Sequence, residues 1–258
     1  MEKNQRNIEP GTPVAGGSYS LIIDTKGPYF VYGNPPFRQE IIEPNEEGEA
    51  WDYKEGITFQ PDSEPIAICR CGHSASKPYC DGAHTQAEWD PTLTADHKPL
   101  LEDANVYDGP RLELTDNPKY CIHARFCMAK GSVWKLMKKS GQEEVEKLAI
   151  HETFFCPSGR LKLADKVTGN FLEPEHSPSI SILEDPQMNC SGPLWVKGGI
   201  PIEDSECHPY EVRNRVTLCR CGSSSNKPFC DGAHMKSGFQ DGLEQTANPT
   251  INPSNTPV

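Results

Sequence analysis

Apolar residues in this chain come in short runs broken by glycine and proline, with few long periodic stretches. Residues 27–37 read GPYFVYGNPPF and residues 192–202 read GPLWVKGGIPI. Each predicts a strand, a turn at the glycines, then more strand. Residues 111–114 and 160–163 alternate polar and apolar side chains, as short strands do. Helical spacing stands out at residues 141–153 (GQEEVEKLAIHET), which put Val145, Leu148 and Ala149 on one face. Residues 43–56 are acidic and contain glycine, which predicts a surface loop. Residues 1–17 and 241–258 are polar and rich in glycine, proline or asparagine, which predicts disordered ends.

The strand patterns belong to an internal repeat. CRCGHSASKPYCDGAH, residues 69–84, returns without a gap as CRCGSSSNKPFCDGAH, residues 219–234. The strand blocks upstream recur as well, and the first copy carries the extra stretch near residues 43–56. The expected organisation is a tail (1–17), a first unit (18–94), a middle segment (95–175), a second unit (176–240) and a tail (241–258). The fold class predicted is α+β and β-rich: two small β-rich units plus a small α/β insert.

Composition narrows the partners. The chain has 258 residues, 25 Lys and Arg against 37 Asp and Glu, and a net charge of −12. That balance argues against nucleic acid or an anionic membrane and suits a basic protein surface. No stretch resembles a signal peptide, a transit peptide or a membrane span, so the expected location is the cytoplasm. Mean hydropathy is −0.63. A chain with so modest a core gains from a bound metal that staples it. Eleven cysteines in a reducing compartment point to metal binding rather than disulfides.

The ligand-type residues of the repeat are Cys69, Cys71, Cys80 and His84, then Cys219, Cys221, Cys230 and His234. Cys-x-Cys puts two thiolates on one tight turn, and Gly72, Ser74 and Pro78 (Gly222, Ser224 and Pro228) are turn formers. A helix beginning at Asp81 would bring Cys80 and His84 onto one face as an i, i+4 pair. Ser74 and Ser224 are expected to hydrogen-bond Asp81 and Asp231 and so support the loop. Three cysteines and a histidine also form a zinc set, although Cys-x-Cys followed by eight residues is an unusual zinc spacing.

Both copies resemble the CDGSH, or NEET, iron–sulfur family, whose pattern C-x-C-x2-(S/T)-x3-P-x-C-D-G-(S/A/T)-H they match at every defined position. The resemblance implies a 2Fe–2S cluster on each Cys3His set. It also implies a β-rich fold that pairs two cluster loops across a two-fold axis, and roles in electron transfer, cluster transfer or redox sensing. Two units in one chain predict an intrachain pseudo-dimer.

The middle segment reads KYCIHARFC and later FFCPSGRLKL, giving Cys121, Cys127 and Cys156. It resembles the divergent mono-cluster ferredoxin domains, with Ala124 where a central cysteine would fall. The resemblance implies a ferredoxin-like fold and a 3Fe–4S cluster, or a 4Fe–4S cluster completed by another ligand. His123 is adjacent to the gap. Cys190, Cys207 and the remaining histidines lie in no motif. No G-x-S-x-G, Walker or G-x-G-x-x-G constellation occurs. The expected function is non-catalytic electron transfer with a redox protein partner. The alternatives are donation of clusters to apo iron–sulfur acceptors, or redox and pH sensing with structural clusters.

Overall fold

The computed structural model describes residues 6–13 and 15–244. Among the described residues, thirteen strands fall into three sheets. The first copy supplies β1 (Ser20–Ile23), β2 (Tyr29–Tyr32), β3 (Phe37–Pro44), β4 (Ala50–Thr58) and β5 (Ile66–Ile68). The middle segment holds β6 (Asn105–Asp108), β7 (Leu112–Asp116), α1 (Val133–Met137), α2 (Glu143–Phe154), β8 (Leu161–Asp165) and β9 (Phe171–Leu172). The second copy supplies β10 (Ser179–Asp185), β11 (Cys190–Lys197), β12 (Ile202–Asp204), β13 (Arg215–Leu218) and α3 (Ala233–Ser237).

The two copies exchange strands reciprocally. One sheet runs β12-β1-β2-β5 and the other β13-β11-β10-β3-β4. β12 of the second copy lies parallel to β1, with Leu21 opposite Ile202. β3 of the first copy lies parallel to β10, with Ile180 opposite Phe37. The turns at Gly33 (φ 88°) and at Gly198 and Gly199 (φ 72° and 71°) redirect each chain between sheets. A side chain at Gly33 or Gly199 would run into the backbone of Ser18 or Pro13.

Between the sheets lies one core. Leu21, Ile23, Tyr29, Val31, Ile66 and Ile68 of the first sheet meet Ile180, Ile182, Leu194, Val196 and Leu218 of the second. Burying a Leu- or Ile-sized side chain is worth about 1.5–3 kcal/mol, so this shared core holds the two copies together. β10 and β11 are buried along their whole length. Their other face turns Leu183 and Trp195 towards Ile122, Ala124 and Phe126 of the middle segment. The middle sheet, β6-β7-β8-β9, is antiparallel, and its Leu112, Leu114, Leu161 and Leu163 pack on Val133 and Met137 of α1 and Ala149 of α2.

Two expectations change. Residues 43–56 are not a loop but most of the β3–β4 hairpin, closed by a turn in which the Asn45 side chain accepts from Glu47 and Glu49 backbone N–H groups. The hairpin folds because Tyr53 buries its ring against Phe126, Phe155 and Trp195. At the other end, the head expected to be disordered makes specific contacts at some of its described residues. Ile8 bridges Val212, and Glu9, 2% exposed, meets Lys162 at 3.1 Å. A buried ammonium draws a carboxylate to it. Of the predicted tail, Asp241 is buried on Arg220 at 2.8 Å, and residues 245–258 lie outside the described residues.

Candidate metal centres

Each CDGSH loop leaves a strand end and returns to it. Cys69 N–H donates to Pro78 O at 2.9 Å and Cys80 N–H to Ala67 O at 2.9 Å. Cys219 and Cys230 repeat this with Pro228 O (2.8 Å) and Thr217 O (2.9 Å). This backbone closure places the distant third cysteine beside the first two. The Cys69 and Cys71 sulfurs are 3.6 Å apart, and those of Cys219 and Cys221 are 3.7 Å apart. Cys80 Sγ lies 3.3 Å from His84 Nδ1, and Cys230 Sγ lies 3.3 Å from His234 Nδ1. Two tetrahedral metal–thiolate bonds of about 2.3 Å put their sulfurs about 3.8 Å apart. Each pair therefore spans one edge of a tetrahedral metal. Among the described residues no three His, Cys, Asp or Glu side chains converge on a point that could hold a single ion. The donors come two by two, an arrangement that fits a binuclear cluster better than one zinc ion.

The paired thiols titrate as a unit. In both copies one cysteine of the pair is pushed down and the other up, because the remaining S–H donates to the neighbouring thiolate. Burial pushes the Cys80 thiol up and the Cys230 thiol well up. Such sulfurs become thiolates when a metal replaces the protons.

Loop support differs from expectation. No helix starts at Asp81: a single 3-10 turn, Ala83–Thr85, follows Gly82, and α3 follows Gly232. The glycines at φ 87° and 85° turn the chain and prevent the aspartate from capping in the usual geometry. Asp81 instead accepts from Ala83 N–H (3.0 Å) and Ala75 N–H (2.7 Å), which hold its carboxyl below the ordinary range. Asp231 accepts from Ser225 N–H (2.8 Å) and Oγ (2.7 Å) and from Ala233 N–H (3.0 Å). Ser74 and Ser224 donate to Tyr79 O and Phe229 O, each at 2.7 Å, accept from the N–H two residues on, and also help hold the Asp81 and Asp231 carboxyls down, as expected.

The two loops face each other. A Cβ on Gly72 would lie 2.6 Å from Cys221 O, and one on Gly222 would collide with Cys71 O. Tyr29 of the first copy donates to Cys219 O at 2.8 Å. The arginine between each pair of cysteines, overlooked in the sequence, anchors the turn. Arg70 Nε donates to Gly27 O (2.6 Å), and Arg220 Nε donates to Gly192 O (3.0 Å). Its recurrence at the same place in both copies was the available signal.

Cys121, Cys127 and Cys156 line one cavity of about 200 Å³ together with Trp134, Pro157 and Arg160. A liquid water occupies about 30 Å³, so the space exceeds that of a few solvent molecules. Burial pushes Cys121 up and Cys127 up to about 12. Arg160, paired with Asp116 at 2.6 Å, supplies the positive charge that thiolates here need. In a cubane-type cluster each cysteine takes a separate iron, so three sulfurs spread around a cavity fit such a cluster. His123 also borders the cavity, but its ring sits on Gly232 of the second CDGSH loop. Cys190 is buried and its thiol is pushed up to about 11 by burial; Cys207 is exposed.

Glu152 on α2 fixes the loop after Cys127 by accepting from Lys130 N–H at 2.8 Å. Burial pushes its carboxyl up to about 7. A folded-state value above the unfolded one stabilises fully below the unfolded range, and that contribution is lost as pH rises through about 7. Glu152→Gln is therefore expected to raise the melting midpoint at pH 8 by about 2–4 °C and to give no gain at pH 5. An equal gain at both pH values would contradict a buried carboxylate.

The family model described as iron-binding zinc finger CDGSH type matches residues 26–85 and 191–235. The one described as divergent 4Fe-4S mono-cluster matches residues 107–166, between them. The chain carries CDGSH-type and divergent mono-cluster regions, which mark it as an iron–sulfur protein. Its two CDGSH regions flank a divergent mono-cluster region. No curated protein and no solved structure matches the chain. Among the described residues no helix is long and apolar enough to cross a membrane.

Proposed function

We propose that each CDGSH region binds a 2Fe–2S cluster. Cys69, Cys71, Cys80 and His84 would hold one, and Cys219, Cys221, Cys230 and His234 the other. Cys121, Cys127 and Cys156 would hold a third cluster, 4Fe–4S or 3Fe–4S, and the whole chain would serve as a non-catalytic electron carrier. The observation that carries this reading is the two-by-two grouping of donors in each loop at 3.3–3.7 Å. The reciprocal strand exchange and facing loops support an intrachain pseudo-dimer. Clusters of these types supply one-electron redox chemistry when bound.

The chain's residues tune that chemistry. A neutral imidazole in place of a thiolate removes one negative charge from each CDGSH site, which favours reduction. Potentials are expected between those of all-cysteine and two-histidine sites, from about −400 to +300 mV. The acidic surface suits a basic redox protein, and the unpaired thiols suit the cytoplasm. Iron and sulfide analysis with EPR on anaerobically purified protein tests the assignment. Two 2Fe–2S signals are expected, and iron-free protein from iron-replete cells would refute it.

A proton competes with iron for the imidazole lone pair. The His84→Cys, His234→Cys double variant should therefore bleach several-fold more slowly than wild type in mild acid. Equal bleaching rates would remove the histidines from acid release. A second reading, donation of clusters to apo iron–sulfur acceptors, is favoured by one observation: Cys80 and His84 are partly exposed. Stopped-flow reduction by a ferredoxin reductase supports the carrier; cluster transfer to apo-ferredoxin supports the donor.

A further inference from the structure

The two CDGSH loops are nearly identical in sequence and in donor spacing, yet their surroundings differ. Cys80, Gly82 and His84 are partly exposed, while Cys230 is 1% and His234 5% exposed. Lys227, Phe229 and Gly232 are buried where Lys77, Tyr79 and Gly82 are not. The cover comes mainly from the middle segment, with Thr94 at the end of the first unit adding to it. Cys230 packs in one apolar cluster with Ile122, Ala124 and Phe126. Asn226 donates to Lys119 O at 3.3 Å, and Thr94 and Ala95 N–H groups donate to Lys227 O at 2.7 and 2.8 Å. A Cβ on Gly232 would strike the His123 ring, whereas one on Gly82 would meet nothing within 4 Å.

We propose that residues 119–126, with His123 seated on Gly232, form an internal cap that makes the second CDGSH site a retained site and leaves the first as the site that exchanges iron with the outside. This rests on both loops holding clusters. The chain thereby gives two equivalent motifs different tasks: a fixed inner site, and an outer site open to an acceptor whose own thiolates must reach the metal. His123 acts as a positioning residue. It keeps water and competing ligands away from Cys230 and His234 without contacting the metal.

The pair Gly82 and Gly232 provides the test. Their φ angles, 87° and 85°, make alanine equally strained at both, so the two variants differ in the crowding of residues 121–123, chiefly the collision with the His123 ring and a tight 3.2 Å approach to Cys121 O. A ferrous chelator is added to the reduced holoprotein, and iron release is followed by the colour of its complex and by native mass spectrometry. Two phases are expected from the CDGSH sites. His84→Cys should shift the fast phase and His234→Cys the slow one. His123→Ala and Gly232→Ala should accelerate the slow phase about 10–100-fold; Gly82→Ala should leave it unchanged. His123→Ala keeps the test informative if Gly232→Ala does not fold. A single common rate, a slow phase that answers to His84→Cys, or a slow phase unmoved by His123→Ala would overturn the cap. Protein without 2Fe–2S absorption would instead overturn the underlying assignment.

Discussion

Arg215→Ala is expected to lower the stability of the holoprotein by about 3–5 kcal/mol, the cost of breaking a buried charge pair. For a chain of this size that is a fall of about 10 °C in the melting midpoint. The Arg215 side chain is 1% exposed and sits where three parts of the fold meet. Its Nε donates to Cys156 O at 2.9 Å, just past the end of α2, and Nη2 donates to Thr153 O at 3.1 Å in its last turn. Its Nη1 pairs with Glu173, which also holds Lys162 at 2.9 Å, and Lys162 in turn holds Glu9. Truncation removes the side-chain donors to the Cys156 and Thr153 carbonyls, which keep only their backbone donors from Gly159 and Cys156, and leaves Glu173 with half its positive charge. The pH dependence should change as well. Burial raises the Glu173 carboxyl, but Arg215 and then Lys162 outweigh it and leave it below the ordinary range. A depressed carboxyl stabilises above its unfolded value, and that contribution is lost as pH falls through the folded one. The variant should therefore show a flatter acid limb. Because Arg215 Nε holds the Cys156 carbonyl, iron retention by the middle cysteines should weaken too. A midpoint within about 2 °C of wild type would mean the network is not holding the molecule.

The repeat made the donor set legible, because a gapless second copy of CRCG and CDGAH leaves little room for chance. Strand positions were legible from the same blocks, since turn glycines and prolines punctuate them. The partners of those strands were not. Phe37 and Ile202 carry the same alternation whether they pair within their own copy or across to Ile180 and Leu21, and only the closed three-dimensional core decides. The β3–β4 hairpin was hidden because its exposed face is acidic, so average composition masked Ala50 and Tyr53 on the buried face. Lys162 looked like an ordinary solvent-facing position in an alternating strand, and Arg215 lay in no motif. Their burial follows from Glu9 and Glu173, which approach from 153 and 42 residues away and so leave no local pattern. His123 was placed next to the right cavity, but a positive φ of 61° and the bare surface of Gly232 turn its ring to the neighbouring loop.

On the proposed assignment, Cys80→Ala and Cys230→Ala should each remove one 2Fe–2S cluster, yet with unequal structural consequences. Both leave two thiols and an imidazole, too few donors for two irons. The bound metal is a large stabilising term: structural zinc in small fingers contributes about 10–16 kcal/mol. In the first copy, water can enter the partly exposed loop and solvate the remaining donors, so the loss stays local. In the second copy the vacated space is walled by Ile122, Ala124, Phe126 and Trp195, and the middle segment rests on it. A cavity there forfeits packing that solvent does not replace. His234 adds to the penalty: burial, then the charge of Arg220, push it down to about 4, so it cannot take a proton to compensate at neutral pH. Cys230→Ala is therefore expected to lower the melting midpoint more than Cys80→Ala and to raise hydrogen exchange in residues 119–126. Cys80→Ala should leave that segment protected. Iron and sulfide per chain, EPR and exchange mass spectrometry together read the outcome. Equal protection of residues 119–126 in both variants would show that the second site and the middle segment do not depend on each other.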